Sequence, residues 1–279
     1  GALRLDHFSD HGITRLTPKF SIRHTPINHL NLRFGYGMGF RSPTLKEKYY
    51  NFDMAGIWLV VGNPNLKAET SHNFNLSAEY SRLRYIFTLS GHYNLVNNKI
   101  ATGSPTKSSI ADPMPQLPYV NLEHYAVFGC EATLKFKLQN GMSTQLSYCY
   151  TNEQLPKDKN GKEINNQYLP ARKHSFTAHW DYIHRFNKHY QLAVNVDGRA
   201  LSGVNNVEFV DYYDLSKGTK TIYYPAYTLW KVSAVQQIGS FLTLTLTVDN
   251  VLNYRPEYHY LNSPLTDGAN FMVGAAINL

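Results

Sequence analysis

Hydrophobic and polar residues alternate with a period of two along much of the chain. Between 125 and 138 the even positions are apolar or small, whereas the odd positions from 131 onward are Glu131, Thr133, Lys135 and Lys137. The same alternation runs through 29–40 and 241–249. Because successive side chains of a β-strand point to opposite faces, this pattern predicts strands with one apolar and one polar face. A helix would place Phe128 and Glu131 on nearly the same side, which disfavours helical structure.

About twelve segments show this pattern. Most of these segments are longer than the roughly five or six residues that are usual for strands of soluble proteins. The predicted spans suit the roughly 9–11 residues with which a tilted strand crosses a bilayer. They are 1–8, 17–25, 29–40, 70–80, 84–98, 119–138, 142–152, 172–184, 189–202, 222–236, 241–251 and 269–279.

Short and long connections alternate between these strands. The short turns lie near 26–28, 81–83, 139–141, 185–188 and 237–240, and the long loops near 9–16, 41–69, 99–118, 153–171, 203–221 and 252–268. Tight turns at one end and long loops at the other are typical of bacterial outer-membrane barrels. The predicted fold class is therefore all-β: the wall of an antiparallel transmembrane β-barrel with short periplasmic turns and long extracellular loops.

The alternation also assigns each side chain to a face, since a period of two admits one assignment per strand. We expect Glu131, Lys135, Thr245 and Asp249 to face inward. The residues expected to face lipid are Leu32, Phe34, Leu134, Phe136, Leu244, Leu246 and Ile277. By the same parity, Cys130 and Cys149 lie on opposite faces and should not form a disulfide.

Composition narrows the class further. Aromatic residues make up 14% of the 279 residues and charged residues 17%. The longest apolar run, at 57–61, is far shorter than the roughly 18 residues of a membrane helix, which excludes a helical membrane protein. The formal net charge is +7, but the basic residues are scattered, so no nucleic-acid partner is predicted.

Four stretches carry a resemblance to a known family. GYGMGFRSPTLKEKYY at 35–50 and GNPNLKAETSHNFNLSAEY at 62–80 resemble two conserved boxes of TonB-dependent outer-membrane receptors, although Ser42 stands where the family usually has Ala. VDNVLNYRPEY at 248–258 resembles the penultimate strand and last loop of that family, and 269–279 resembles its final strand.

The resemblance implies a barrel of about 22 strands whose lumen is filled by an N-terminal plug domain, preceded by a segment that contacts TonB. On this interpretation residues 1–279 are a single domain, the C-terminal twelve strands of the barrel wall. The chain is then expected to be incomplete at its N-terminus. The implied location is the outer membrane of a Gram-negative bacterium. The implied partners are outer-membrane lipid and, through the plug, the TonB system, and a surface lipoprotein is left open.

The function implied is uptake of a scarce, bulky nutrient such as an iron chelate, haem or cobalamin. External loops are expected to bind it, because the wall is committed to strand pairing and lipid contact. The loops at 41–69 and 252–268 are richest in aromatic and charged residues. The predicted ligand contacts are Tyr49, Tyr50, Trp58, Tyr258 and His259. The alternative is that these residues pack loop against loop. Residues 44–63 contain no His, which weakens the case for haem.

Charged residues beside the two boxes have a structural interpretation. Arg41, Lys46, Glu47, Lys67 and Glu69 are expected to pair with one another and order the bases of the loops.

No enzyme is predicted, because the sequence shows no catalytic or metal-binding motif, and no cofactor is expected. A complete 12-stranded barrel, such as an autotransporter translocator, a lipid hydrolase or another porin-like pore, is the main alternative. A translocator would need a helix threading the pore, and residues 1–16 offer no amphipathic helix. A soluble carbohydrate-binding β-sandwich would need polar outer faces, whereas here one face of each strand is apolar.

Overall fold

A twelve-stranded antiparallel sheet dominates the computed structural model of the chain. The structure describes residues 1–8, 13–54, 58–103, 106–107, 114–138, 140–155, 171–211, 214, 217–257 and 264–278. The strands of the sheet, in spatial order, are β1 (Ala2–Phe8), β2 (Ile13–His24), β3 (Leu30–Arg41), β6 (Glu69–Arg82), β7 (Tyr85–Asn97), β11 (Tyr125–Lys137), β12 (Met142–Gln154), β13 (His174–Asn187), β14 (Tyr190–Leu201), β17 (Tyr227–Ile238), β18 (Leu242–Asp249) and β19 (Asn270–Ile277).

Each strand of the sheet is hydrogen-bonded to the next one along the chain, so the connections never cross. Within the described ranges β1 and β19 are the two edges of the sheet and are not paired with each other. The predicted number of strands, about twelve in one antiparallel sheet, is confirmed. A closed 12-stranded barrel would need a seam between those two edges, and the described strands have none.

The predicted division into two faces is confirmed by the strand register. On one face, Leu134 lies opposite Phe87 and Leu146. On the other face, Glu131 lies opposite Ser90 and Cys149. The apolar face is exposed: Leu246, for example, keeps 49% of its surface accessible. An apolar sheet face of this extent is stable only when a non-aqueous phase or another surface covers it.

The two cysteines sit on opposite faces, as predicted. Cys130 is paired in register with Tyr150, and Cys149 with Glu131. Both thiols are free. The two cysteines lie at adjacent register positions on the paired strands β11 and β12, but the pleat directs their side chains to opposite sides of the sheet.

Two predicted strands are each divided in the structure. The prediction of one strand over 119–138 is wrong, because β10 (Pro115–Leu122) ends before His124, whose φ is 58°, and β11 begins at Tyr125. The prediction over 222–236 likewise spans β16 (Thr219–Tyr224) and β17, which are separated by Pro225. Each break has a weak sequence signal, a polar residue on the apolar parity at His124 and a proline at Pro225, which the alternation on either side obscured.

Three of the predicted long loops, at 41–69, 99–118 and 203–221, contain strands of their own. The prediction of a long loop over 9–16 is wrong, because β2 begins at Ile13. A five-stranded sheet consists of β4 (Phe52–Met54), β5 (Trp58–Val61), β8 (Lys99–Thr102), β9 (Thr106–Lys107) and β10. A separate hairpin is formed by β15 (Val204–Phe209) and β16. A single short helix, α1 (Leu45–Tyr49), is found in the described part of the chain. No helix in the described ranges has the length and apolar character that crossing a membrane requires.

Candidate functional site

The two sequence boxes meet where β3 ends and β6 begins. Arg41, the last residue of β3, lies directly opposite Glu69, the first residue of β6. The Arg41 Nη2 atom is 3.3 Å from Glu69 Oε2. Residues 28 positions apart in sequence are thereby joined at the base of the long loop at 41–69. The predicted pairing of these two charged residues is confirmed.

Helix α1 follows Pro43 and is fixed at its first residues. The Thr44 hydroxyl accepts a hydrogen bond from the Glu47 backbone N–H at 3.2 Å, and the Glu47 carboxylate accepts one from the Thr44 backbone N–H at 2.7 Å. This reciprocal capping box satisfies donors that a helix start otherwise leaves free. The Glu47 carboxylate also accepts two hydrogen bonds from Arg41 Nη1, at 2.8 and 3.1 Å.

The ionised state of Glu47 is favoured by this arrangement. Partial burial alone would raise the pKa of the Glu47 carboxyl. The Thr44 hydrogen bonds and the Arg41 guanidinium stabilise the charged form more strongly, so the net pKa of Glu47 lies below its ordinary value. Glu47 therefore binds Arg41 as a carboxylate at neutral pH.

A second loop is tied to the Glu69 carboxylate, which also binds Arg41. Ile100 at the start of the second long loop donates its backbone N–H to Glu69 Oε2 at 3.0 Å. The side chain of Asn121 accepts from the Lys67 N–H at 2.8 Å and donates to the Lys67 carbonyl at 3.0 Å. The loops at 41–69 and 99–118 thus form one unit, which we call the loop unit: α1 together with the five-stranded sheet.

Trp58 lies in the core of the loop unit. Its exposed fraction is 9%, and it clusters with Val60 and Leu117. The ring of Phe209 in β15 packs against it, with the ring centroids 5.9 Å apart. The ring is therefore engaged in loop-to-loop packing, and a ligand would reach only its small accessible edge. Ligand contact by Trp58 stays a prediction.

Tyr49 and Tyr50 are exposed at the surface of the same unit. Their accessible fractions are 62% and 65%, and Phe52 and Met54 beside them in β4 are exposed as well. We call these four residues the aromatic platform. The ammonium of Lys46 lies 5.2 Å from the centroid of the Phe52 ring, which joins α1 to β4 and adds positive charge to the surface. Sequence reasoning selected the two tyrosines but missed Phe52 and Met54.

The second box contacts the backbone of α1 next to the platform. A Cβ on Gly62 would lie 2.8 Å from the backbone of Lys48 and of Tyr49, so only glycine allows the two segments to approach this closely. Asn63 donates its backbone N–H to the Glu47 carbonyl at 2.9 Å. Backbone contacts therefore hold the end of α1 against the start of the GNPNL motif.

Tyr258 and His259 lie outside the described residues. The base of their loop is organised by Asn250, which is 2% exposed and has a φ of 51°. Its side chain accepts from the Tyr254 N–H at 2.9 Å and donates to the Tyr254 carbonyl and the Thr266 hydroxyl, at 2.7 and 3.1 Å. The VDNVLN motif thus closes this loop through a buried amide.

A charged cluster on the polar face was missed by sequence reasoning. His179 in β13 lies between two carboxylates: its Nε2 is 2.7 Å from Asp181 and its Nδ1 is 2.5 Å from Asp197. His179 and Asp181 share a parity and could have been grouped from sequence. Asp197 joins them only through the register of β13 with β14. Among the described residues no group of three or more His, Cys, Asp or Glu side chains could hold a metal ion.

A long-stranded antiparallel sheet with an exposed apolar face, a polar opposite face and long loops gathered at one end defines the wall of an outer-membrane β-barrel. Residues 1–251 match the family described as TonB dependent receptor-like, beta-barrel. The chain belongs to that family. Its polar face accordingly lines the lumen and its apolar face meets lipid in the outer membrane of a Gram-negative bacterium.

Individual relatives agree with this assignment. The chain is 27% identical to the iron-regulated outer membrane virulence protein of Vibrio cholerae (strain N16961), over 98% of the chain and 41% of the relative. It is 24% identical to the ferric enterobactin receptor PirA of Pseudomonas aeruginosa, over 91% of the chain and 34% of the relative. The siderophore receptor PirA of Acinetobacter baumannii shares the fold, with a TM-score of 0.74 at 16% identity, over 99% of the chain and 42% of that structure. The chain therefore spans well under half the length of these relatives.

Proposed function

We propose that the chain is the C-terminal part of the barrel of an outer-membrane receptor that imports a bulky iron chelate. The observation that carries this proposal is the exposure of all four residues of the aromatic platform on the loop unit, at the loop end of the wall. Large exposed apolar surfaces on ordered loops usually mark binding sites. The names of two relatives, an iron-regulated outer membrane virulence protein and a ferric enterobactin receptor, support iron as the cargo.

The chemistry of the platform favours an aromatic and anionic chelate. Tyr49, Tyr50 and Phe52 offer ring faces for stacking, and rigid aromatic side chains give a large contact area at a low cost in conformational entropy. Lys46 and Lys48 in α1 add positive charge beside them. A catecholate iron complex presents aromatic rings and a net negative charge, so it complements both features. Haem and cobalamin are the competing ligand classes.

We further propose that energy for import comes from TonB acting through a plug domain of the complete receptor. The wall described here offers a polar lumen face on which such a domain could rest. Any contribution of Tyr258, His259 or a surface lipoprotein to ligand capture stays a prediction.

Ligand binding by platform variants tests the proposal. In outer membranes of cells that produce the complete receptor, ferric enterobactin affinity is compared for wild type, Tyr49→Ala and Tyr50→Ala. We expect each tyrosine variant to lose more than about 1 kcal/mol of binding free energy, with an unchanged melting temperature. Tyr223→Ala is the matched control, because Tyr223 is 59% exposed on the β15–β16 hairpin.

Two different results would contradict two different parts of the proposal, the binding site and the ligand class. Unchanged affinity in both tyrosine variants would remove the platform from the binding site. Tight binding of haem or cobalamin by the wild type, without binding of ferric enterobactin, would replace the proposed ligand class while leaving the receptor assignment in place.

A further inference from the structure

One guanidinium connects the barrel wall to the loop unit. Arg41 Nη1 binds the Glu47 carboxylate of α1 at 2.8 and 3.1 Å, and Arg41 Nη2 is 3.3 Å from Glu69 of β6. Both carboxylates have further partners, Thr44 for Glu47 and Ile100 for Glu69. The side chain of Arg41 thus lies at the centre of a network that includes β3, β6, α1 and the second long loop.

Helix α1 depends on contacts outside itself for its position. A helix of five residues is far too short to be stable in isolation. None of its five residues is buried, so the helix contributes no core residue that would fix its position. Its first turn is fixed by the capping box and by Arg41, and its end by the close approach of Gly62. Of these, only Arg41 connects the helix directly to a strand of the barrel wall.

We propose that Arg41 is a positioning residue for ligand capture. By holding Glu47 against the end of β3, it fixes the orientation of α1, and with it the aromatic platform, over the mouth of the barrel. Both terminal nitrogens of Arg41 bind carboxylates, so the role that we assign to it is to position α1 and not to contact the ligand. The inference rests on the proposed function in that the platform is taken as the ligand site. Preorganisation of a binding surface raises affinity by reducing the ordering cost on binding.

The geometry of arginine is required for this role. The planar guanidinium has donors on both terminal nitrogens and can engage two carboxylates at once. A lysine at the same position carries a single ammonium and would hold one carboxylate well and the other poorly. Arg41→Lys is therefore expected to keep the charge and lose part of the positioning.

The experiment compares three variants of the complete receptor in outer membranes of the cells that produce it: Arg41→Gln, Arg41→Lys and Arg33→Gln. Arg33 is the matched control, because it lies on the same strand and face and is 3.7 Å from a carboxylate of β6, Glu79. The motion of a nitroxide label at Leu45→Cys reports the order of α1, in a background in which Cys130 and Cys149 are replaced by Ala and Ser. Ferric enterobactin affinity is measured separately on the unlabelled proteins.

We expect Arg41→Gln to increase the motion of the label and weaken affinity by about tenfold. Arg41→Lys should fall between Arg41→Gln and wild type in both measurements, and Arg33→Gln should change neither. Glu47→Gln, which removes the charge that Arg41 binds on α1 and also weakens the capping box with Thr44, should reproduce the increase in label motion even if Arg41→Gln assembles poorly.

Three outcomes would overturn the inference. Unchanged label motion in both Arg41→Gln and Glu47→Gln would show that α1 is held without the bridge. Weakened affinity with unchanged label motion would make Arg41 a ligand contact. Equal effects of Arg33→Gln would indicate a general response of the wall to loss of an ion pair. Failure of the wild type to bind ferric enterobactin would count against the proposed ligand alone, because the label motion still decides the role of Arg41.

Discussion

At the scale of single residues, the base of the loops depends on charged groups that ion-pair across the chain. Arg41, Glu47 and Glu69 belong to three different elements, and the backbone N–H groups of Thr44 and Ile100 donate to the same two carboxylates. Exposed ion pairs are usually worth less than about 1 kcal/mol, but a network with shared partners is more strongly coupled. The contribution of this network is to order the loop unit more than to stabilise the barrel.

The lowered pKa of Glu47 gives a prediction for pH. A carboxyl whose pKa is lower in the folded than in the unfolded state stabilises the fold while it is ionised, and that stabilisation is lost as pH falls through the folded pKa. We therefore expect α1 to be ordered at neutral pH and to loosen progressively below Glu47's ordinary pKa of 4.5. The nitroxide at Leu45 measures this order between pH 7 and pH 3.

The control variant removes the titrating group. In Glu47→Gln the label should be mobile already at pH 7 and change little with acid. A pH response in Glu47→Gln as large as in wild type would assign the transition to a group other than Glu47.

At the scale of elements, the strands are defined by their two faces. Leu246 of β18 faces lipid and lies opposite Ala234 and Val273, whereas its neighbour Thr245 faces the lumen opposite Val235 and Gly274. The two positions share a strand and nearly the same height in the wall, but their surroundings differ completely.

A charged substitution should distinguish the two faces. We expect Leu246→Arg to lower the free energy of unfolding in lipid vesicles by about 2–4 kcal/mol, because a guanidinium near the bilayer midplane is poorly solvated. Thr245→Arg is the matched control and should cost far less, since the lumen face is polar. Denaturant titration of both variants in vesicles gives the comparison, and equal losses would contradict the assignment of faces.

At the scale of the whole molecule, the sheet is the wall of a membrane barrel with its loops gathered at one end. The prediction is that every lipid-facing position responds to membrane-soluble reagents and every lumen-facing position to aqueous ones. Nitroxide labels at Phe136→Cys and Lys135→Cys, in a background free of native cysteines, test this on adjacent residues of β11. The Phe136 label should collide mainly with oxygen and the Lys135 label with a water-soluble nickel reagent. Equal accessibility of the two labels would be incompatible with a membrane wall.

Much of this architecture was available from the sequence. The alternation of polar and apolar residues determined the number of long strands, the face of each side chain and the separation of Cys130 from Cys149, because the pleat of a strand leaves only one assignment. The alternation of short and long connections indicated which end carries the loops. The boxes around Arg41 and Glu69 indicated the family. Their charged residues indicated pairing among Arg41, Lys46, Glu47, Lys67 and Glu69, and the structure shows which partners Arg41 takes.

Only the tertiary structure decided which residues meet inside the loops. Trp58 and Tyr50 look equivalent in sequence as aromatic loop residues, yet Trp58 packs into a core made by three separate loops while Tyr50 remains exposed. The break at His124 was not predicted either, because one polar residue on the apolar parity does not by itself show that the backbone leaves one sheet and enters another. The meeting of His179 with Asp197 depends on strand register. A strand's period is a local property that residues determine by themselves, whereas register, loop packing and long-range ion pairs depend on how distant segments fit together.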